Sequence, residues 1–430
     1  MGGPASGIYA PLPNLWDDAH ADHLDEPGRL LYRSNLLGSD LRITNFGGGN
    51  TSAKVDGVDP LTGETVKVLW VKGSGGDLGS MKLDGFSTLH LDKLLGLKSV
   101  YRGLAHEDEM VALFNHCTFN LNPRATSIDT PLHGFVPHRH VDHVHADAVI
   151  AIAASDNAEE LTRKIFEGEL GFLPWQRPGF DLGLKLGAMA EANPQLKGVV
   201  LGGHGLFTWG PTSKACYETT LAIINKAAAW LAANGKGEAF GGEAAPALSP
   251  ANRRDVAARL MPAIRKRISS AERKIGHFTE APEVLEFVNS RDLRPLAALG
   301  TSCPDHFMRT KIRPLVLPFN PMKRNLEEVM DSLDELLAAY RNDYAAYYER
   351  CKGPNSPAMR DPNAVVYLVP GVGMLSFAKD KATARIASEF YVNAINVMRG
   401  ASSVSRYVGL AEREAFDIEY WLLEEAKLQR

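Results

Sequence analysis

Short apolar runs rich in β-branched residues alternate with longer helical patterns from about residue 27 to residue 235. This alternation predicts an α/β domain, because each strand-length run needs a helix to cover it. The predicted strands are LRITNF (41–46), TSAKV (51–55), TVKVLWV (65–71), DAVIAIAA (147–154) and LKGVVLGG (196–203); helices are predicted over 107–117, 157–170, 181–192 and 213–233. The segment DGVDPLTGE between the second and third strands has the composition of a hairpin loop, so part of the sheet is predicted to be antiparallel.

A stretch rich in glycine, alanine and proline, NGKGEAFGGEAAPALSP, follows this block at 234–250 and carries no periodicity. It predicts an exposed linker. We therefore expect a first domain at 1–235, a linker at 236–250 and a second domain at 251–430. Apolar runs in the segments 293–311 and 364–398 each lead into a glycine-bearing loop, which predicts a smaller, doubly wound (Rossmann-like) α/β domain.

Charge and composition narrow the classes of partner. The formal net charge is −4, with both signs spread along the chain, so neither nucleic acid nor an anionic membrane is an expected partner. No stretch reaches the roughly 20 apolar residues of a membrane span, and the start lacks the pattern of a leader peptide. Four scattered cysteines form no disulfide framework. These features predict a cytoplasmic protein with a small-molecule partner.

Histidines are concentrated ahead of one apolar run, in HVDHVHADAVIAIAA (140–154). Five of the thirteen histidines fall within thirteen residues: His133, His138, His140, His143 and His145. In an extended strand, His143 and His145 would point to the same face and could share an ion. The alternative is a polar loop whose histidines satisfy backbone groups.

A further histidine favours the metal interpretation. His204 lies directly after the apolar run of LKGVVLGGHGLFTWG, between two glycines that allow close backbone approach. Three imidazoles with one open coordination position are typical of a catalytic zinc site. The sequence thus predicts a site formed by His143, His145 and His204.

Two glycine-rich turns, NFGGGNTSAKV and WVKGSGGDLGSM, each adjoin a predicted strand. Successive backbone N–H groups in such turns form concavities that bind anions, and nearby hydroxyl and amide groups add donors. They predict a phosphate site. The alternative is that both are hairpin turns whose glycines serve only backbone geometry.

Together, the segments GGGNTSAK, VKGSGGDLG, TSIDTPLH, HVDHVHADA and GGHGL resemble the class II aldolase/adducin family, and within it the sugar-phosphate aldolases of the fuculose and rhamnulose type. The later segments TSCPDHFMRTKIRPLVLPFNP and VPGVGMLSFAKDKATARIASEFYVNAINVMRG extend the resemblance to the aldolase portion of bifunctional rhamnulose-1-phosphate aldolase/lactaldehyde dehydrogenases. The resemblance implies a three-layer domain with a central, mainly antiparallel sheet, followed by a smaller α/β domain.

The same resemblance implies roles for particular residues. It places Zn²⁺ on His143, His145 and His204, and the phosphate on Gly49, Asn50, Ser52, Ser74 and Gly75, with Thr126 and Ser127 as a further hydroxyl pair. The acid/base of the family is usually a glutamate just after that pair. Here the nearest carboxylate is Asp129, and TSID is one residue longer than the common SSE. Asp129 would otherwise serve as a helix N-cap before Thr130 and Pro131.

The implied activity is zinc-dependent cleavage of a ketose 1-phosphate, with L-rhamnulose 1-phosphate as the leading candidate. The products would be dihydroxyacetone phosphate and L-lactaldehyde. The resemblance also implies a homo-oligomer. Two alternatives stay open: a sugar-phosphate 4-epimerase of the same family, and a non-catalytic, adducin-like interaction module.

Overall fold

A computed structural model describes residues 7–422, and these residues fall into two compact units. The first unit contains the chain up to Ala153 together with Asn157–Ala233. The second contains Ala154–Asp156 and the chain from Asn234 onward. Among the described residues, no helix has both the length and the apolar character needed to cross a bilayer.

The first unit is built on a large sheet with strand order β3-β2-β1-β4-β7-β6-β5. Its strands are β1 (Asn50–Val58), β2 (Thr65–Lys72), β3 (Phe86–His90), β4 (His140–Val144), β5 (Leu170–Leu173), β6 (Gly198–Leu201) and β7 (Gly205–Gly210). The neighbouring strands pair antiparallel, except for β5 and β6, which pair parallel. The sheet is therefore mainly antiparallel, as the resemblance implied.

Helices cover both faces of this sheet. They are α1 (Asp18–Ala21), α2 (Glu26–Gly38), α3 (Leu91–Gly96), α4 (Glu107–Leu113), α5 (Thr130–Gly134), α6 (Asp147–Ala153), α7 (Ala158–Phe166), α8 (Phe180–Ala192) and α9 (Ser213–Asn234). Helix α2 begins where the Asp25 carboxylate accepts a hydrogen bond from the Gly28 N–H, with a proline in its first turn.

Strand alternation separates two polar rows on β1 and β4. On one face, Val141 packs with Phe207 and Trp209 against apolar side chains of α5 and α8. On the other face, the buried Asp142 meets Arg33 of α2 and Thr220 of α9. Because side chains alternate along a strand, His143 lies on the first face and Asp142 on the second.

The second unit has a four-stranded sheet with order β8-β11-β10-β9. Its strands are β8 (Ile275–Thr279), β9 (Leu315–Val316), β10 (Val366–Val369) and β11 (Gly373–Ala378); its helices are α10 (Pro250–Ile268), α11 (Pro282–Val288), α12 (Leu293–Leu299), α13 (Pro304–Thr310), α14 (Leu326–Asp331), α15 (Leu333–Cys351), α16 (Lys381–Val404) and α17 (Glu412–Glu419). An apolar core that includes Leu260, Leu333, Tyr367 and Leu375 packs helices on this sheet.

The predicted class, α/β with a large sheet and a smaller second sheet domain, is confirmed. The doubly wound connection expected in the second domain is wrong, because β10 and β11 form an antiparallel hairpin and only β9 and β10 pair parallel. The run LRPLAALG, expected to be a strand, is helix α12. In the segment predicted as an exposed linker, Phe240 is buried and contacts the ring of Phe287.

Two strand predictions in the first unit are also wrong. DAVIAIAA forms the helix α6, all of whose residues are buried, and the strand lies immediately before it, at HVDHV. A short, fully buried helix and a buried strand share a continuous apolar pattern, which periodicity does not distinguish. LRITNF forms turns and irregular backbone ahead of the glycines. The hairpin between TSAKV and TVKVLWV is confirmed, with Val58 paired to Thr65.

Candidate metal centre

Three histidines from separate parts of the chain converge at one end of the large sheet. His143 is on β4, His145 follows that strand, and His204 lies in the turn between β6 and β7. All three are buried, and they offer ring nitrogens that lie within 4.8 Å of one another. The Nε2 atoms of His143 and His145 are 3.0 Å apart. The structure thus brings together the three histidines that the sequence singled out.

The donor set fits a tetrahedral divalent cation. Zn–N bonds of about 2.0–2.1 Å place two imidazole nitrogens of a tetrahedral site about 3.3 Å apart, close to the separation of the two Nε2 atoms. The Nδ1 of His143 lies 3.0 Å from the carbonyl oxygen of Leu206. A backbone carbonyl at Nδ1 accepts its proton and leaves the Nε2 lone pair for the metal. The ring of His143 also stacks on Phe207, with centroids 4.2 Å apart.

Glycines allow the three imidazoles to approach so closely. A Cβ at Gly205 would lie 2.8 Å from the carbonyl oxygen of Val144 and 3.0 Å from the ring of His145. Gly49, on the neighbouring turn, has a φ of +72°, and a Cβ there would lie 2.7 Å from the carbonyl oxygen of His143. A side chain at either position would therefore displace the backbone of β4 that carries the histidines.

The other histidines of the cluster serve different purposes. His138 stacks on Trp209, and His133 lies 2.8 Å from the Ser52 hydroxyl through its Nδ1. His140 points to the opposite face of the sheet, where its Nδ1 accepts a hydrogen bond from Arg33 at 3.0 Å. Burial, with Arg33 nearby, lowers the pKa of His140 to about 3. The neutral ring therefore acts as an acceptor for arginine.

Asn50 connects Asp129 to the histidine group, because it bonds to the Asp129 carboxylate and pairs across the strands with His143. The Oδ2 of Asp129 accepts hydrogen bonds from the Asn50 side-chain amide at 2.6 Å and from the Ser127 hydroxyl at 3.2 Å. Asn50 is the direct cross-strand partner of His143, and such partners project to the same face. Asp129 does occupy the N-cap position of α5, yet its side chain makes no capping hydrogen bond. The carboxylate is thus directed toward Asn50 rather than toward the helix.

The glycine turns and the hydroxyl pair also converge. The Ser74 N–H donates to the carbonyl of Ala125 at 2.8 Å, which brings the second turn beside the segment that contains Thr126 and Ser127. A Cβ at Gly47 would lie 3.9 Å from the carbonyl oxygen of Gly76, so the two turns are neighbours. The residues predicted for phosphate, namely Gly49, Asn50, Ser52, Ser74, Gly75, Thr126 and Ser127, lie on these three segments. Ser74 thus bonds to Ala125, which lies two residues before Ser127. Ser127 and Asn50 in turn both donate to the Asp129 carboxylate.

Two polar residues beside these turns were missed by sequence reasoning. The guanidinium of Arg124 lies over the second turn, 3.7 Å from where a Cβ of Gly76 would be. Asn45, the first residue of the segment NFGGGNTSAKV, is buried, and neither atom of its amide has a hydrogen-bond partner within the described chain. Arg124 could have been singled out in the sequence as a basic residue close before TSID. No such signal pointed to Asn45, because its burial depends on tertiary packing.

The opposite face of the same strands holds a closed ionic network. The Arg33 Nε lies 2.8 Å from the Asp142 carboxylate, and both side chains are fully buried. Arg33 also donates to the carbonyl of Ser52 at 2.7 Å and to the Ser213 hydroxyl at 2.9 Å. Asp142 in turn accepts from Thr220 at 3.0 Å. The network ties β1, β4, α2 and α9 together directly behind the histidines.

The fold is α/β, and one end of its large sheet carries three imidazoles that could hold a metal ion, beside two glycine turns. The class II aldolase and adducin N-terminal domain matches residues 29–231, and the second domain of class II aldolases matches residues 255–428. The chain belongs to the class II aldolase family. Class II aldolases are typically metal-dependent, which agrees with the histidine group.

Individual relatives were also compared. A Bacillus subtilis (strain 168) protein named uncharacterized oxidoreductase YuxG is 36% identical over 419 residues, which cover 97% of this chain and 60% of that protein. The chain therefore spans about three fifths of this relative's length. The N-terminal class II aldolase domain of a conserved Thermoplasma acidophilum protein is 31% identical, with a TM-score of 0.47 over 51% of this chain and 99% of that chain. L-fuculose-1-phosphate aldolase from Thermus thermophilus is 15% identical, with a TM-score of 0.31 over 48% of this chain and 94% of that chain.

Proposed function

We propose that the protein is a zinc-dependent aldolase that cleaves a ketose 1-phosphate, with L-rhamnulose 1-phosphate as the first substrate to test. The products would be dihydroxyacetone phosphate and L-lactaldehyde. The observation that carries the proposal is the continuous arrangement of three buried imidazoles, a carboxylate held beside them by Asn50, and two glycine turns. We assign this chemistry to the first domain, 1–235, which precedes the predicted linker and the second domain.

His143, His145 and His204 would hold the zinc ion. When bound, Zn²⁺ supplies Lewis-acid polarisation of the substrate's ketone oxygen. The Leu206 carbonyl orients the His143 ring for this role. Other divalent metals also bind imidazole, so the choice of zinc is part of the proposal.

The glycine turns would hold the phosphate. Backbone N–H groups of Gly49 and Gly75 and the hydroxyls of Ser74, Thr126 and Ser127 are the proposed donors. Arg124 adds a cation at the second turn, and a guanidinium suits the oxygens of a phosphate dianion. Asn50 donates one amide hydrogen to Asp129 and keeps another for substrate, and the Ser52 hydroxyl is the remaining predicted contact.

Asp129 would move the proton. Cleavage requires removal of the proton from the hydroxyl on carbon 4, after which the carbon 3–carbon 4 bond breaks and the aldehyde leaves. Carbon 3 of the remaining three-carbon fragment then takes up a proton. A carboxylate beside the histidines can accept the first proton and return one to carbon 3.

The test combines metal analysis with an assay of dihydroxyacetone phosphate release from L-rhamnulose 1-phosphate. We expect about one zinc per chain in the parent, and loss of both zinc and activity in the variant His143→Ala/His145→Ala. The matched control is His138→Ala, since His138 belongs to the same sequence cluster but stacks on Trp209 outside the group. A parent without metal, or a double variant that keeps it, would rule out the proposal.

Two further proposals accompany this function. The protein is expected to act in the cytoplasm as a homo-oligomer. Sedimentation of the purified chain would test the oligomeric state. An assay that follows conversion of a pentulose 5-phosphate to its epimer tests the competing 4-epimerase activity, because an epimerase retains and rejoins both fragments.

A further inference from the structure

Three alternate residues of β1 form a polar row that contacts the segment 129–138 along its whole length. Asn50, Ser52 and Lys54 lie on the same face of the strand because side chains alternate. Asn50 donates to the Asp129 carboxylate at 2.6 Å, and the Ser52 hydroxyl lies 2.8 Å from His133 Nδ1. Lys54 reaches the far end of the segment. The row therefore connects β1 to the residue before α5, to the last turn of α5 and to the segment that follows it.

Lys54 uses its full donor capacity on backbone carbonyls. Its Nζ donates to the carbonyl oxygens of His133 at 3.0 Å, Val136 at 2.6 Å and His138 at 2.6 Å. An ammonium group has three N–H donors, and here all three are satisfied. The last carbonyls of a helix have no partner within the helix, and a cation there also complements the helix dipole. His133 belongs to α5, whereas Val136 and His138 follow it, so Lys54 ties the last turn of the helix to the segment directly after it.

Helix α5 depends on such external contacts for its position. It has five residues, Thr130–Gly134, whereas isolated helices shorter than about 12–15 residues are marginal in water. Asp129 is attached directly to its N-terminal end. Any shift or fraying of α5 would therefore move the Asp129 carboxylate relative to Asn50 and the histidines.

We infer that Lys54 is a positioning residue for Asp129, acting through α5 by clamping one carbonyl in the helix's last turn and two carbonyls of the segment that follows it. The hydrogen bonds of the Lys54 ammonium go to backbone carbonyls, so in this role it acts on Asp129 indirectly. The inference rests on the proposed function, in which Asp129 moves the proton. It gives Lys54, two residues after Ser52, a role separate from phosphate binding.

The first measurement does not depend on activity. Hydrogen–deuterium exchange of peptides from 129–139 is compared in the parent, Lys54→Met, Lys54→Gln and Lys54→Arg. We expect faster exchange in this segment for the Met and Gln variants, with exchange in β4 unchanged. The amide of Lys54→Gln retains two N–H donors, so this variant still tests the clamp if Lys54→Met does not fold. Unchanged exchange in the segment for the Gln variant would overturn the clamp.

The second measurement separates positioning from general stability. In the cleavage assay, Lys54→Gln is expected to lower kcat by about 10- to 100-fold, since a displacement of about 1 Å at a reacting group can cost about 100-fold. KM should change less than about threefold, metal content should stay at the parental level, and Lys54→Arg should restore part of kcat. Solvent deuterium entering carbon 3 of dihydroxyacetone phosphate should slow in parallel with kcat.

Glu107→Gln is the matched control. Glu107 is a buried charged residue of the same unit that accepts the Asp181 N–H at the start of α8 and pairs with Arg177. We expect it to lower the melting temperature while kcat stays at the parental value. An equal fall in kcat for Glu107→Gln and Lys54→Gln would reduce Lys54 to a stability role and refute the inference. A parent with no cleavage activity would refute the proposed function instead, and the exchange measurement would still decide whether Lys54 clamps α5.

Discussion

The two faces of strands β1 and β4 carry polar rows of similar composition that are arranged in opposite ways. On the rear face, Arg33 bonds to both His140 and Asp142, and Arg33 and Asp142 also bond to α9, so the buried charges are paired. On the front face, His143 and its neighbours present ring nitrogens toward a shared point, and Asn50 holds a carboxylate beside them. Opposite charges that pair directly offset the cost of each other's burial, whereas imidazole nitrogens gathered in one place are suited to bind a shared cation.

This difference indicates that the two faces of the same strands have separate roles: the rear face stabilises the sheet, and the front face carries the candidate site. The rear network fixes β1 against β4, because Arg33 contacts the Ser52 carbonyl of one strand and the Asp142 carboxylate of the other. The front face depends on the resulting register, since Asn50 and His143 are cross-strand partners. Substitutions on the two faces should therefore separate into losses of chemistry and losses of stability.

The largest expected effect is on the front face. Removing two ligands in His143→Ala/His145→Ala should abolish metal binding and lower kcat/KM by about 1,000-fold or more, because metal polarisation contributes several kcal/mol to the transition state. The melting temperature of the metal-free parent should resemble that of the variant. Metal analysis, the cleavage assay and thermal unfolding measure the three quantities. Retention of substantial activity would contradict the assignment of the centre.

Asp129→Asn should sharpen the comparison by removing proton transfer while leaving the metal in place. We expect kcat to fall by about 100- to 10,000-fold, the range typical of a general acid/base. The amide can still contact Asn50, so zinc content and the unfolding transition should stay close to those of the parent. A variant with parental kcat would assign the proton transfer to another group.

On the rear face, Arg33→Met should lower the free energy of unfolding by about 3–5 kcal/mol, because Asp142 would remain buried without its cation. The double variant Arg33→Met/Asp142→Leu should recover most of this loss, since the unpaired charge is also gone. Denaturant titration measures both. If the double variant is no more stable than the single one, desolvated charge is not the main cost.

A smaller effect is expected at the second glycine turn. Ser74→Ala should raise KM for the phosphorylated ketose by about tenfold, because a hydrogen bond to a charged group contributes about 1.5–3 kcal/mol. kcat should change little. The same variant assayed with the unphosphorylated sugar should match the parent, and equal losses on both substrates would argue against phosphate binding at this turn.

The smallest effect is expected at an exposed pair on the β1–β2 hairpin. The Nζ of Lys67 lies 2.7 Å from the Oδ1 of Asp56, and each side chain is about 60% exposed. Lys67→Met should change the free energy of unfolding by less than about 1 kcal/mol, because solvent screens such pairs. Activity and metal content should be parental. A larger loss would show that charge on this sheet matters beyond the two buried rows.

Sequence reasoning predicted the helices α7, α8 and α9 and the hairpin between β1 and β2. It failed where burial removed periodicity, as in α6, which was taken for a strand. It also missed β3, β5 and β7, which are short or joined to turns. The three histidines were found from their spacing and glycine neighbours. Arg124, Asn45 and the clamp of Lys54 on α5 were not, because each depends on contacts between distant segments.

The sequence by itself determined which chemical groups are available: imidazoles at strand ends, two glycine turns and an aspartate after a hydroxyl pair. These are local properties, set by residue type and by the conformations that glycine permits. Tertiary structure alone decided which groups meet. The pairing of β1 with β4 placed Asn50 opposite His143, and alternation along those strands directed Asp142 to Arg33 and His143 to the candidate metal site. A shift of one residue in that register would exchange the two faces, since side chains of a strand alternate with a period of two.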